Sequence, residues 1–300
     1  MQNLRKYGKI RRVMEIGEFA ESLMKGFMDL GVRKGDKLYV SSDMTHLTLE
    51  ASRACGLKRR EDLDRFYEVL TDSMKELVGE EGTLLYPVFT WSFCKGTPFH
   101  AKTTQGEVGA WGNWVLNNRP DFRRTKNPMY SFMVWGKDAE ELLNMDNRTA
   151  WGKDSPFGWL REHHGRNLII DVSLSGSFTF LHHVEETIRV PHRYFKDFRG
   201  EYEDAEGNIK ERVYTLYVRD LDIESRQVTP DDCLVEAGAA KKAQFGKANL
   251  QLVELADAYP LIEENLRQEN GSNWYDFYGY RLNWDAGQTH PDETSGDFTA

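Results

Sequence analysis

Long apolar runs are missing from this chain. Its most hydrophobic stretches, Leu84 to Phe89 and Asn167 to Val172, fall far short of the roughly 20 residues that a membrane-crossing helix needs. A membrane partner is therefore not expected. The basic residues after Met1 are followed by no apolar segment, so a secretory signal is not expected either. Cysteine is scarce: Cys55, Cys94 and Cys233 are widely separated, and none forms a Cys-x-x-Cys pair. This excludes a disulfide framework and fits a reducing, cytoplasmic location. Positive charge is in deficit, with 39 Lys and Arg against 48 Asp and Glu for a net charge of −9. A nucleic-acid partner, which calls for a basic surface, is not expected. The balance is compatible with a cationic substrate, although net charge reports first on solubility. Repeats and long linkers are absent as well, so residues 1–285 read as one domain and 286–300 as a loose tail without a packing pattern.

What is present is an alternation of helices and strands. Phe19, Leu23, Met24, Phe27 and Leu30 recur at helical spacing between Ile16 and Leu30, and Gly31 stands where that helix should stop. The strand Lys37 to Ser42 ends in small hydroxyl residues, a helix from Glu61 to Val78 follows, and Thr83 to Phe89 forms the next strand. Further elements are expected at Tyr130 to Trp135, Asp138 to Leu143, from Pro156 onward, at Asn167 to Val172 and at Ala256 to Glu269. This order predicts an α/β fold: three α/β/α layers around a mixed central sheet. After about residue 200 the texture changes. Gly207-Asn208 reads as a hairpin turn and Val213 to Val218 alternates like a half-buried antiparallel strand, so a β-rich insertion or lobe is expected over about 200–230.

The densest group of ionisable residues is Thr179-Phe180-Leu181-His182-His183-Val184-Glu185-Glu186, just after the strand and small-residue turn that end at Ser177. Active sites of α/β folds lie at such strand ends. On a helix His182 shares a face with Glu185 and Glu186, while His183 is aligned with Glu186. A histidine backed by a carboxylate is a general base, because the carboxylate fixes the tautomer and stabilises the imidazolium. The same residues also fit a solvated helix face. A zinc site on His182 and Glu186 lacks a third ligand and the His-Glu-x-x-His pattern, so no metal is expected.

Several separated segments, in order, resemble the aminoglycoside 3-N-acetyltransferase family. They are Val40-Ser41-Ser42, Gly82 through Phe93, Arg124-Thr125-x-x-Pro128-x-x-Ser131 with Gly136-Lys137-Asp138-Ala139, Gly152-x-x-Ser155-Pro156, and Thr179-x-Leu181-His182-x-x-Glu185. The resemblance implies transfer of an acyl group from a coenzyme A thioester to an amine, without a covalent enzyme intermediate or a metal. It implies His182 as the base with Glu185 behind it, Glu186 remaining a contender. It further implies coenzyme contacts from Ser41, Ser42, Thr125, Ser131, Ser155 and Thr179, with Thr179 and Ser42 also candidate donors to the oxyanion. Thr90, Trp91 and Phe93 would line the acceptor side. One departure stands out, Asn127 replacing the histidine that many relatives carry before the proline, and Asn cannot titrate. The basic run Arg189 to Lys196 suggests Arg193 and Lys196 facing the diphosphate of a nucleotide-linked amino sugar; it also fits a basic helix end. The expected acceptor is thus an amino sugar of a surface-polysaccharide pathway, with an aminoglycoside antibiotic as the alternative and a homodimer as the expected assembly. From other classes, a metal-dependent hydrolase and a non-catalytic binding protein remain open.

Overall fold

The computed structural model describes residues 13–220, 223–227, 232–268, 271 and 274–279. The chain runs α1 (Ile16–Leu30), β1 (Lys37–Ser42), α2 (Thr45–Cys55), α3 (Arg60–Val78), β2 (Thr83–Phe89), β3 (Phe99–His100), α4 (Ala110–Asn118), β4 (Arg123–Arg124) and β5 (Tyr130–Gly136). It continues through α5 (Ala139–Asn144), α6 (Pro156–Glu162), β6 (Arg166–Ile170), α7 (Leu174–Ser177), α8 (Phe180–Ile188), β7 (Arg193–Glu203) and β8 (Ile209–Arg219). The last elements are β9 (Ile223–Gln227), α9 (Cys233–Glu236), β10 (Ala240–Phe245), β11 (Ala248–Glu254), α10 (Leu255–Gln268) and β12 (Tyr275–Gly279).

Seven strands form the central sheet in the order β10-β11-β6-β1-β2-β5-β4. β1 lies parallel to both β2 and β6, whereas β5 and β11 run antiparallel to their neighbours. The sheet is therefore mixed, as expected. Strand alternation assigns its two faces. Leu38, Val40, Leu84, Tyr86 and Val88 point to a core shared with Phe27, Phe66, Leu70 and Trp111 of α1, α3 and α4. Tyr39, Leu85, Phe89 and Ile169 point the other way, to a core with Phe157, Leu181, Val184 and Ile262 of α6, α8 and α10. Full burial of two such layers explains why β2 is buried along its whole length and apolar from Leu84 onward rather than alternating.

The β-rich segment starts earlier than expected. β7 and β8 pair over eleven residues each, from Arg193↔Arg219 to Glu203↔Ile209, and β3 adds a third strand. The basic run thus begins as a helix end at Arg189 and becomes, from Arg193, the first strand of a hairpin. The cause is Arg189, which caps α8 in the left-handed region (φ 60°) and turns the chain back. The turn near Gly207 is built by Asp204, whose carboxylate accepts from the amides of Glu206 and Asn208. The tail expected at 286–300 lies outside the described residues.

Candidate active site

The carboxyl ends of β1, β2 and β6 share one edge because the three strands are parallel, and α8 begins a short α7 turn beyond β6. Leu181 and Val184 anchor α8 in the core, which fixes the directions of its polar residues. The His182 side chain keeps 23% of its surface exposed, while that of Glu185, one turn on, is wholly buried. His182 Nδ1 lies 2.6 Å from Glu185 Oε2. A carboxylate only accepts here, so Nδ1 carries the proton and the lone pair resides on Nε2.

Glu185 gathers further partners that the helix alone does not supply. After the turn at Arg189 the chain brings His192 Nε2 to 3.1 Å of Oε1 and Arg193 Nε to 2.9 Å of Oε2. Burial pushes the Glu185 carboxyl up, but Arg193 and the hydrogen bonds from the two histidines override it, holding the group well below the usual carboxylate range. His182 is held below the ordinary histidine value, first by burial and then by the Arg193 charge, with Glu185 offsetting only part of both. The outcome is a neutral imidazole with its basic nitrogen outward, attached to a permanent anion. Such a pair can accept a proton from an attacking nucleophile and stabilise the imidazolium that forms.

Of the two candidate carboxylates, Glu185 is the one that meets His182. Glu186 turns to the loop before α6, its carboxyl lying against Gly152, and burial raises it above the usual carboxylate value. His183 is fully buried and donates Nδ1–H to the Trp151 carbonyl at 2.7 Å. Burial pushes it down to about 4.

The other expected residues divide sharply. Ser42 and Thr179 are partly exposed at strand and helix ends, and Thr179 Oγ1 donates to the Ser177 carbonyl. Ser41 instead points into the sheet and donates to Asn167 Oδ1 at 3.1 Å. Thr125 accepts from the Phe132 amide, and Ser131 accepts from Arg124 and donates to the Val88 carbonyl. Ser155 caps α6 and donates to the Gly152 carbonyl. These four hydroxyls, expected on coenzyme, are buried and engaged inside the protein. Thr90 is buried with its hydroxyl on Glu107, and Phe93 is a core residue packed edge-on to Tyr214. Trp91 remains partly exposed and donates to the Tyr130 hydroxyl. Arg193, expected to face a diphosphate, has its charge on Glu185 and donates to the Tyr217 carbonyl. A run of basic residues carries no record of the backbone turn that redirects it. Asn127 accepts from the amides of Met129 and Tyr130, shaping the turn before β5.

The structure also assembles residues that the sequence did not single out. Trp151 lies over His182 with ring centroids 4.7 Å apart, and against Tyr130 at the same separation. Aromatic side chains thereby link Trp91 to the imidazole through Tyr130 and Trp151. A separate imidazole–carboxylate contact, His46 Nδ1 to Asp171 Oδ2 at 2.5 Å, stands at the end of β6. Asp171 lines a crevice of about 610 Å³ between β6, β10 and β11. A larger crevice of about 790 Å³ lies beside β4 and the hairpin tip, lined by Arg123, Lys126 and Arg212 among others. His182 lines neither crevice and meets solvent at its own exposed edge. Among the described residues no group of three or more His, Cys, Asp or Glu is arranged to hold a metal ion, and no helix is long and apolar enough to cross a membrane.

Comparison with known proteins places these features. The family model described as aminoglycoside 3-N-acetyltransferase matches residues 55–267. The SPbeta prophage-derived aminoglycoside N(3')-acetyltransferase-like protein YokD of Bacillus subtilis (strain 168) is 27% identical over 158 residues, 50% of this chain and 53% of that protein. The chain therefore spans about half the length of this curated relative. Among solved structures, aminoglycoside acetyltransferase AAC(3)-IIb is 21% identical with a TM-score of 0.66 over 84% of this chain and 98% of that one. AAC-IIIb in a binary complex with CoASH is 17% identical with a TM-score of 0.63 over 85% and 97% of the two chains. At these identities the likeness is one of fold.

Proposed function

Because the chain belongs to the aminoglycoside 3-N-acetyltransferase family, we propose that it transfers an acyl group, acetyl in the simplest case, from a coenzyme A thioester to an amino group of an aminoglycoside. The observation that carries this reading is the His182–Glu185 contact at 2.6 Å, with Glu185 held ionised by Arg193. The acceptor amine attacks the thioester carbonyl carbon, and His182 Nε2 takes its proton as the C–N bond forms. The C–S bond then breaks, and the proton passes from the imidazolium to the departing thiolate, giving the amide and free thiol. The transient oxyanion requires preorganised donors; the part-exposed hydroxyls of Thr179 and Ser42 are the candidates. The CoASH bound to one fold relative supports the donor.

The acceptor preference reverses the one drawn from the sequence. The case for a nucleotide-linked sugar rested on Arg193 and Lys196; the Arg193 guanidinium is engaged with Glu185, and the Lys196 ammonium lies over the Phe198 ring. A polycationic aminoglycoside suits a chain of net charge −9. A thiol-release assay tests both halves, offering acetyl and longer acyl thioesters with aminoglycosides and with nucleotide-linked amino sugars. Release with aminoglycosides that drops about 10²- to 10⁴-fold in His182→Ala is expected. Release with the nucleotide-linked sugars alone would transfer the proposal to them, and no release with any amine would end the acyltransferase reading.

A further inference from the structure

The loop before α6 does more than connect. Trp151 is 3% exposed, with its ring 4.7 Å from the His182 imidazole and inclined by 50°. Its backbone is gripped from the helix that carries His182. The Trp151 carbonyl accepts from His183 Nδ1 at 2.7 Å, and the Glu186 carboxyl lies against the next residue of the loop, Gly152. Gly152 allows the approach: a Cβ there would collide with Thr149 Oγ1 and come to 3.2 Å of Glu186 Oε1. Thus the helix turn that presents His182 also holds, through the two residues not used in the dyad, the indole that covers it.

We propose that His183 and Glu186 are positioning residues that clamp Trp151 over the His182 imidazole, and that this cover keeps the imidazole neutral and oriented as a base. The proposal rests on the acyl-transfer reading only for the meaning of that orientation; the clamp itself is a geometric claim. The titratable and charged groups facing His182 are Glu185 from its own helix and Arg193 and His192 from the start of the hairpin. The loop contributes an uncharged indole. Around Glu186 the charged neighbours are Asp154 and Arg189.

This distribution gives the test a sign that a through-space effect does not share. Removing an anion near an imidazole lowers its titration midpoint, whereas removing an apolar cover admits water and raises it. The His182 imidazole is followed by NMR in histidine-labelled wild-type protein, Glu186→Ala, Glu186→Gln and Trp151→Leu, and the pH profile of kcat/KM is recorded for the same proteins. Glu186→Ala and Trp151→Leu are expected to move the midpoint and the acid limb of the profile to higher pH, with kcat down roughly 10-fold to 100-fold from misorientation and KM within about twofold. Glu186→Gln, which keeps the side chain's length and an oxygen against the loop, is expected to stay with wild type. If Glu186→Ala does not fold, Trp151→Leu decides. An unmoved or lowered midpoint in the folded variants overturns the clamp, whatever happens to their thermal stability. Because the NMR arm needs no turnover, it separates failure of the clamp from failure of the acyl-transfer reading.

Discussion

Two histidine–glutamate pairs with identical spacing stand side by side on α8, and only one of them forms. His182 meets Glu185 at 2.6 Å. His183 turns instead to the Trp151 carbonyl, and Glu186 to the same loop at Gly152. The difference lies outside the helix: His192 and Arg193 converge on Glu185 and hold it ionised, whereas burial drives His183 toward its neutral form and raises the Glu186 carboxyl above its usual value. Spacing makes a dyad available, and the charges brought to the carboxylate decide whether it becomes one.

The contrast can be broken most severely at Glu185. Glu185→Gln leaves Arg193 buried without its anion and the imidazole without its support. A loss of about 3–5 kcal/mol in chemical denaturation is expected, together with a fall in kcat/KM of about 10² or more. Unchanged stability would show that Arg193 does not depend on this carboxylate. The next effect belongs to the neighbouring pair. His183 titrates near 4 in the folded protein against an ordinary 6.5, so the unfolded chain binds a proton first on acidification. The stability this group contributes is complete above pH 6.5 and is lost as pH falls toward 4, about 3 kcal/mol in all. His183→Asn, which retains a donor for the Trp151 carbonyl, should flatten the stability profile in that window; a profile as steep as wild type would place the acid sensitivity elsewhere. The mildest variant lies off the helix. Ser155→Ala removes an N-cap and should cost about 1 kcal/mol with KM for the acyl thioester within about twofold, whereas a tenfold rise in KM would restore Ser155 as a coenzyme ligand.

Much of the scaffold was legible because two burial periods are written into it. Phe19, Leu23 and Phe27 mark α1, and Phe66, Leu70 and Met74 mark α3, as helices with one buried stripe. Leu38 and Val40 against Tyr39 show β1 dividing its side chains between two cores. The edge hairpin β10–β11 was not read: Lys241-Lys242 and Gln244 sit at solvent positions of a short strand and leave little alternation. His182 and Glu185 were readable because they share one helical turn. Arg193 was assigned to a ligand, since nothing in its local run signals the left-handed turn at Arg189 that returns it to Glu185. The motif hydroxyls of Ser41, Thr125, Ser131 and Ser155 were read as ligand contacts, and the fold uses them to satisfy its own strand ends, turns and caps. Trp151 gave no signal, because its role is set by a contact made across the fold.

The central claim is that a neutral His182, attached to an ionised Glu185, is the base. It is tested most directly by comparing, in the same buffers, the NMR titration of the His182 imidazole with the acid limb of kcat/KM for thiol release. Coincident midpoints below the ordinary histidine value, with Glu185 ionised throughout, are predicted. A rate that persists through the pH range in which the imidazole becomes protonated would contradict the account.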